Sequence, residues 1–215
     1  MNDIHNKLKE YKLIAIIRGL DFENIIPTVK ALYDGGIRFV EVTFNQTSTT
    51  CLEDTKIAIE AIVSEFGEEV YVGAGTVLTE EQVETAINSG AKYIISPNFD
   101  KKVVKKTLDM GAISMPGALT PTEIVEAYNF GAHYVKLFPV SQLGLSYIKA
   151  LKAPLSHIPM LAVGGVNLKN LTEAMKTGIE GAGIGSGIVN KKFIQEKQFD
   201  KLTELAKQFT SQLKK

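Results

Sequence analysis

Eight short runs of β-branched and small apolar residues recur along the 215 residues at nearly even spacing: LIAIIR (13–18), FVEVTF (39–44), YVGAGT (71–76), YIISP (93–97), AISMPG (112–117), YVKLFP (134–139), MLAVGG (160–165) and GAGIGS (181–186). Between them the apolar residues follow a helical period, as in Ile25, Ile26, Val29 and Leu32, or in Phe199, Leu202, Leu205, Phe209 and Leu213. Strands that are apolar on both faces belong to parallel sheets covered on both sides. The joins repeat as well. A glycine precedes the next strand in GGIRFVEV, SGAKYIIS, MGAISMP, FGAHYVK and TGIEGAG, where a helix C-cap needs the left-handed backbone that glycine tolerates. Helix starts are marked by Thr79 before Glu81 and Gln82, by Thr120 with Pro121 and Glu123, and by Asn167.

Two architectures satisfy such an alternation. A doubly wound open sheet normally carries a glycine-rich dinucleotide loop after its first strand, and none follows LIAIIR. Eight units of roughly 27 residues predict instead a single (β/α)8 barrel domain spanning 1–215, with an extra N-terminal helix from Asp3 to Tyr11 across its bottom.

Composition narrows the partners. Lys and Arg total 24 and Asp and Glu total 24, so the field that draws nucleic acid is missing and a small-molecule partner is expected. No apolar run reaches membrane-spanning length, and the first dozen residues are polar and mixed in charge, unlike a secretory signal. Cys51 is the sole cysteine, so no internal disulfide can form. The expectation is a soluble cytoplasmic protein. His5, His133 and His157 fall in the N-terminal helix, a strand-start turn and a pre-strand loop, which predicts no metal cluster and no metal or other cofactor.

Chemistry in such a barrel sits at the C-terminal strand ends, so the acids and bases within the strands are the ones to count. Only three occur: Arg18 ending strand 1, Glu41 in strand 2 and Lys136 in strand 6. A structural ion pair would account for Glu41 and Lys136, and a solvated rim position for Arg18, but a buried pair contributes little net stability. The chemical account is stronger. Desolvation among Tyr134, Leu137 and Phe138, with a nearby Arg18, would lower the lysine pKa and free its lone pair for Schiff-base attack on a carbonyl, while Glu41 moves protons. AVGG (162–165) and GIGSG (183–187) close strands 7 and 8, the usual phosphate loops of this fold, with Ser186 adding a hydroxyl. In GAGT (73–76) the glycines leave room inside the barrel and Thr76 can donate to a carboxylate; SPN (96–98) and MPG (115–117) shape the mouth.

Taken in order, LIAIIRG, VEVTFN, GAGTVL, SPN, PGALTPTE, VKLFP, AVGGV and IGS span residues 13 to 187 and resemble the 2-keto-3-deoxy-6-phosphogluconate and -galactonate aldolases. The resemblance implies a (β/α)8 barrel, a homotrimer, and class I, metal-free cleavage of a phosphorylated keto acid to pyruvate and D-glyceraldehyde 3-phosphate. It makes Lys136 the Schiff-base residue and Glu41 the proton-transfer residue. Arg18 and Thr76 look like contacts to the substrate carboxylate or hydroxyls, Pro97 contributes backbone, Phe138 lines the pyruvate pocket, and Gly164, Gly165 and Ser186 match the phosphate turns. Asn45 and Val163 stand where the gluconate branch has an arginine and a threonine; with SQLGLSYIKALKAPL they look more like the galactonate branch, and tolerance of both C4 epimers is expected. Cleavage of 4-hydroxy-2-oxoglutarate to pyruvate and glyoxylate, and a phosphate-binding isomerase or epimerase, are the alternatives.

Overall fold

The computed structural model describes residues 2–213. Its strands are β1 Leu13–Ile17, β2 Phe39–Thr43, β3 Tyr71–Gly75, β4 Tyr93–Ile95, β5 Ile113–Met115, β6 Gly117–Ala118, β7 Val135–Leu137, β8 Met160–Val163 and β9 Gly181–Ile184. All pair in parallel, in the order β5-β4-β3-β2-β1-β9-β8-β7-β6. Helices alternate with them: α1 Asn2–Tyr11, α2 Phe22–Asp34, α3 Cys51–Phe66, α4 Glu80–Asn88, α5 Lys101–Asp109, α6 Pro121–Asn129, α7 Gly144–Lys152, α8 Leu171–Met175, α9 Lys191–Gln195 and α10 Phe199–Ser211. This is the (β/α)8 barrel with its added N-terminal helix.

The fifth expected strand is two pieces, β5 and β6, separated by Pro116. Proline has no N–H for the ladder, so the regular pairing is interrupted there: β5 pairs in register with β4 and β6 with β7, while single bonds hold the other edges, from the Tyr134 N–H to the Ser114 carbonyl at 3.3 Å and from the Gly117 N–H to the Asn98 carbonyl at 3.2 Å. The Pro116 carbonyl still accepts from the Lys136 N–H at 2.9 Å, which carries the ring of bonds past the break. The sheet closes through its own chain.

Side chains divide by strand parity into two cores. Leu13, Ala15, Ile17, Val40 and Val42 face the helices and pack with Ile25, Val29 and Leu32 of α2. Ile14, Phe39, Tyr93, Ile113, Met115, Tyr134 and Leu161 fill the barrel interior, where Leu8 of α1 joins them from below. Glu41 shares parity with Phe39, and Lys136 with Tyr134, so both point inward.

The glycines at the helix-to-strand joins are left-handed as expected, with φ of +93° at Gly36 and +107° at Gly131, for example. Thr120 forms a full capping box with Glu123, and Thr79 caps α4 by accepting from the Gln82 N–H at 3.2 Å. Asn167 is a correction: it opens a turn, accepting from the Lys169 N–H at 2.9 Å, and Asn170 stands at the N-cap of α8. The histidines are not all apart either. At the barrel bottom His5 Nδ1 lies 3.2 Å from the Tyr134 hydroxyl and its ring 5.2 Å from that of His133, while His157 packs edge-on against Tyr128. No helix among the described residues is long and apolar enough to cross a membrane.

Candidate active site

The acid owes its place to missing side chains around it. Glu41 sits on β2 between Ile16 and Gly73 in the register, and is 1% exposed. A Cβ on Gly75 would fall 1.7 Å from Glu41 Oε1, and one on Gly73 would fall 2.1 Å from the ring of Tyr93. The two glycines of GAG therefore make the space that the carboxyl group and the tyrosine beneath it occupy. Tyr93 is tied down by donating to the Val40 carbonyl at 2.7 Å. Neither carboxyl oxygen of Glu41 has a hydrogen-bond partner. Burial raises its pKa above the usual carboxylate range, with Lys136 and then Arg18 pulling the other way.

Lys136 lies on β7 between Gly117 and Leu161, 4% exposed, with Nζ 4.8 Å from the centre of the Phe138 ring. Burial lowers its pKa; Glu41 opposes the shift and Arg18 adds to it. Glu41 has no ion-pair contact within 4 Å among the described residues, so the structural salt bridge is not what holds these groups in the barrel. Burial thus pushes both groups towards their uncharged forms.

Arg18 follows β1 at the rim, exposed, and donates from Nη2 to Thr76 Oγ1 at 3.3 Å. Thr76 follows β3 with φ of +57°, a left-handed conformation that a β-branched residue rarely adopts. Two glutamines hold it. Gln46 Nε2 donates to the Thr76 carbonyl at 2.7 Å, Gln82 Nε2 donates to Gln46 Oε1 at 3.0 Å, and Gln82 Oε1 accepts from the Leu78 N–H at 2.7 Å. The sequence marks Gln82 only as part of a helix start and gives no sign of Gln46, because their partnership joins the loop after β2 to the first turn of α4, distant in the chain.

A cavity of about 320 Å³ opens above Lys136, lined by Arg18, Phe138, Val163, Gly164, Gly165, Asn167 and Ser186. Gly164 and Gly165 have φ of +85° and +98°, and a Cβ on Gly165 would sit 2.5 Å from that of Ser141. After β9, the Gly185 carbonyl accepts from the N–H groups of Ile188 and Val189, at 3.0 and 2.9 Å. The N–H groups of Ser186 and Gly187 thus stand in the first, unclaimed positions of a helical turn, a geometry suited to an anion.

Of the expected site residues, Arg18, Lys136, Phe138, Gly164, Gly165 and Ser186 meet on this one cavity. Glu41 lies close enough to Lys136 to shift its titration, and Thr76 is reached through Arg18. Pro97 stands outside the cavity lining, half-buried, with its carbonyl where a Cβ on Gly117 would be 2.2 Å away. Val163 reaches the cavity. Asn45 does not: its Oδ1 accepts from Thr47 Oγ1 at 2.8 Å, and it borders a separate cleft between α2 and α3. No group of three or more potential metal ligands occurs among the described residues.

A buried acid and amine beneath the open end of a (β/α)8 barrel, beside two glycine turns, define a lyase of the lysine-dependent aldolase class. The KDPG and KHG aldolase family model matches residues 4–205, and the chain belongs to that family. It is 39% identical to 2-dehydro-3-deoxy-6-phosphogalactonate aldolase of Escherichia coli K12, over 82% of this chain and 83% of that one. It is 35% identical to 2-dehydro-3-deoxy-phosphogluconate aldolase of Treponema pallidum, over 97% and 96%. Among solved structures, KDPG aldolase from Legionella pneumophila, with pyruvate captured as a covalent carbinolamine, superposes with a TM-score of 0.82 at 27% identity, covering 92% of this chain and 93% of that one.

Proposed function

We propose that this aldolase cleaves a 2-keto-3-deoxy-6-phospho sugar acid to pyruvate and D-glyceraldehyde 3-phosphate, with Lys136 as nucleophile and Glu41 as the sole proton carrier. The observation that supports it best is a desolvated amine at the base of the cavity that carries the β8 and β9 turns, with an unpartnered buried acid near enough to shift its titration. The lone pair of neutral Lys136 Nζ adds to the C2 carbonyl, and an internal proton shift gives the carbinolamine. Protonated Glu41 gives its proton to the departing hydroxyl, which leaves as water, and an iminium remains. The resulting carboxylate takes the C4 hydroxyl proton as the C3–C4 bond breaks, and the bonding electrons flow into the iminium to form an enamine. The aldehyde leaves. Glu41 returns that proton to C3, then accepts one from the water that attacks the iminium; the carbinolamine so formed passes its hydroxyl proton to nitrogen and expels the lysine as the C–N bond breaks, so pyruvate leaves and acid and amine end uncharged as they began.

Arg18 and Thr76 contact the substrate carboxylate or hydroxyls, Phe138 walls the pyruvate end, Pro97 shapes the rim through its backbone, and Gly164, Gly165 and Ser186 hold the phosphate. With no arginine at Asn45 and no hydroxyl at Val163, both C4 epimers are accepted, with kcat/KM values within about tenfold of each other. The phosphate turns favour this substrate over 4-hydroxy-2-oxoglutarate, which has nothing to place there; turnover of the two substrates side by side tests that choice. The enzyme works in the cytoplasm, where sugar phosphates are kept. It assembles as a trimer, supported by exposed Phe22 and Ile57 along the α2–α3 cleft, and light scattering checks the mass.

Incubation with pyruvate and borohydride, followed by peptide mass mapping, is the decisive experiment. A reduced pyruvate adduct on Lys136, absent from Lys136→Ala, is expected. An unlabelled Lys136, or label on another lysine, overturns the proposal.

A further inference from the structure

We propose that Gln46 and Gln82 are positioning residues for this reaction, acting through Thr76 to fix the guanidinium of Arg18 over the reacting amine. The inference rests on the roles given above to Lys136 and Arg18, and adds two residues that touch neither.

The backbone of Thr76 would not hold φ of +57° unaided, since its branched Cβ crowds the carbonyl in that region. Such a conformation persists only where the surroundings over-determine it. Here a two-amide clamp does so from both sides of the turn: Gln46 holds the Thr76 carbonyl at 2.7 Å and Gln82 holds the Leu78 N–H at 2.7 Å. The 3.0 Å bond between the two amides locks the clamp, and Gln82 is 4% exposed, so its amide has no water to turn to. What the clamped turn presents is one hydroxyl, Thr76 Oγ1, and that oxygen holds Arg18 Nη2 at 3.3 Å. Arg18 is otherwise at the exposed rim, where a long side chain ordinarily follows solvent. The charged groups acting on Lys136 are Glu41 and Arg18, and the guanidinium is the one that favours the free amine. A capping box would turn the Gln82 amide back onto the Thr79 N–H; it bonds the Leu78 N–H and Gln46 instead.

Loosening the clamp should let Thr76 relax and Arg18 swing outward, and Lys136 would hold its proton to higher pH. The test is the pH dependence of pyruvate–borohydride trapping and of kcat/KM in Gln46→Ala, with Gln46→Met as a variant that keeps the bulk and loses the donor. The acid limb of both profiles is expected to move to higher pH, with kcat/KM at neutral pH down about tenfold and recovering as pH rises. In an Arg18→Gln background Gln46→Ala should move the acid limb no further, because both shift it through one charge. Gln46 variants whose acid limb coincides with the wild type overturn the clamp, as does a further shift of the limb on top of Arg18→Gln. Absence of any Lys136 adduct in the wild type would instead bring down the aldolase assignment itself, so the two failures are distinguishable.

Discussion

Burial displaces the proton affinities of Glu41 and Lys136 in opposite directions, and the consequence can be measured without turnover. The carboxyl pKa is raised in the folded protein above its ordinary 4.5, so between those two values the native state binds more protons than the unfolded chain. Stability therefore falls as pH rises from about 4.5 to the folded pKa, and stays lowered above it. Glu41→Gln removes that loss. Its Tm relative to wild type should climb through this window and then level off, each tenfold of proton affinity being worth about 1.4 kcal/mol, or about 3–6 °C. A Tm difference independent of pH would contradict the burial account. For Lys136, the lowered pKa places the acid limb of kcat/KM below the lysine's ordinary 10.5, and Arg18→Gln should move that limb upward. A stationary limb in a titration of kcat/KM would remove Arg18 from the electrostatics of the amine.

The elements place these residues through what they leave out. Gly75→Ala puts a methyl group on Glu41 Oε1, so the acid must rotate away although β3 itself is undisturbed. Turnover should fall about 10²–10⁴-fold, the loss expected of a missing proton carrier, while circular dichroism stays native. Near-normal kcat in that variant would show that the tight fit around the acid is dispensable. Strand positions, their inward parity and the glycine joins were legible in the sequence because each follows from local rules of period and backbone freedom. The break at Pro116 was visible as a proline but not as an interruption of the ladder, which depends on how β5 and β6 meet strands distant in the chain. The Gln46–Gln82 clamp and the meeting of His5 with His133 were not legible at all. Each joins segments whose distance in the chain no local pattern spans, and a glutamine on a loop carries no signature of its role.

At the scale of the whole molecule, the two faces of the barrel have separate duties. The upper face carries the cavity, with Lys136 at its base and Ser186 exposed on its lip. Removing that lip hydroxyl in Ser186→Ala should lower kcat/KM for a phosphorylated substrate by about 10–100-fold, as expected for one hydrogen bond to a charged group. Activity on an unphosphorylated analogue should be unchanged. Equal losses on both substrates, measured in parallel steady-state assays, would take the phosphate away from this turn.

The lower end is closed, because α1 lays Leu8 into the interior cluster at 1% exposure. Substrate and products therefore share the doorway of the upper face, and with Lys136 at its base the fragment held in the proposed adduct would be the first to enter and the last to depart. Run backwards as a condensation, the enzyme must load its keto acid before its aldehyde, so an aldehyde that arrives early blocks the queue.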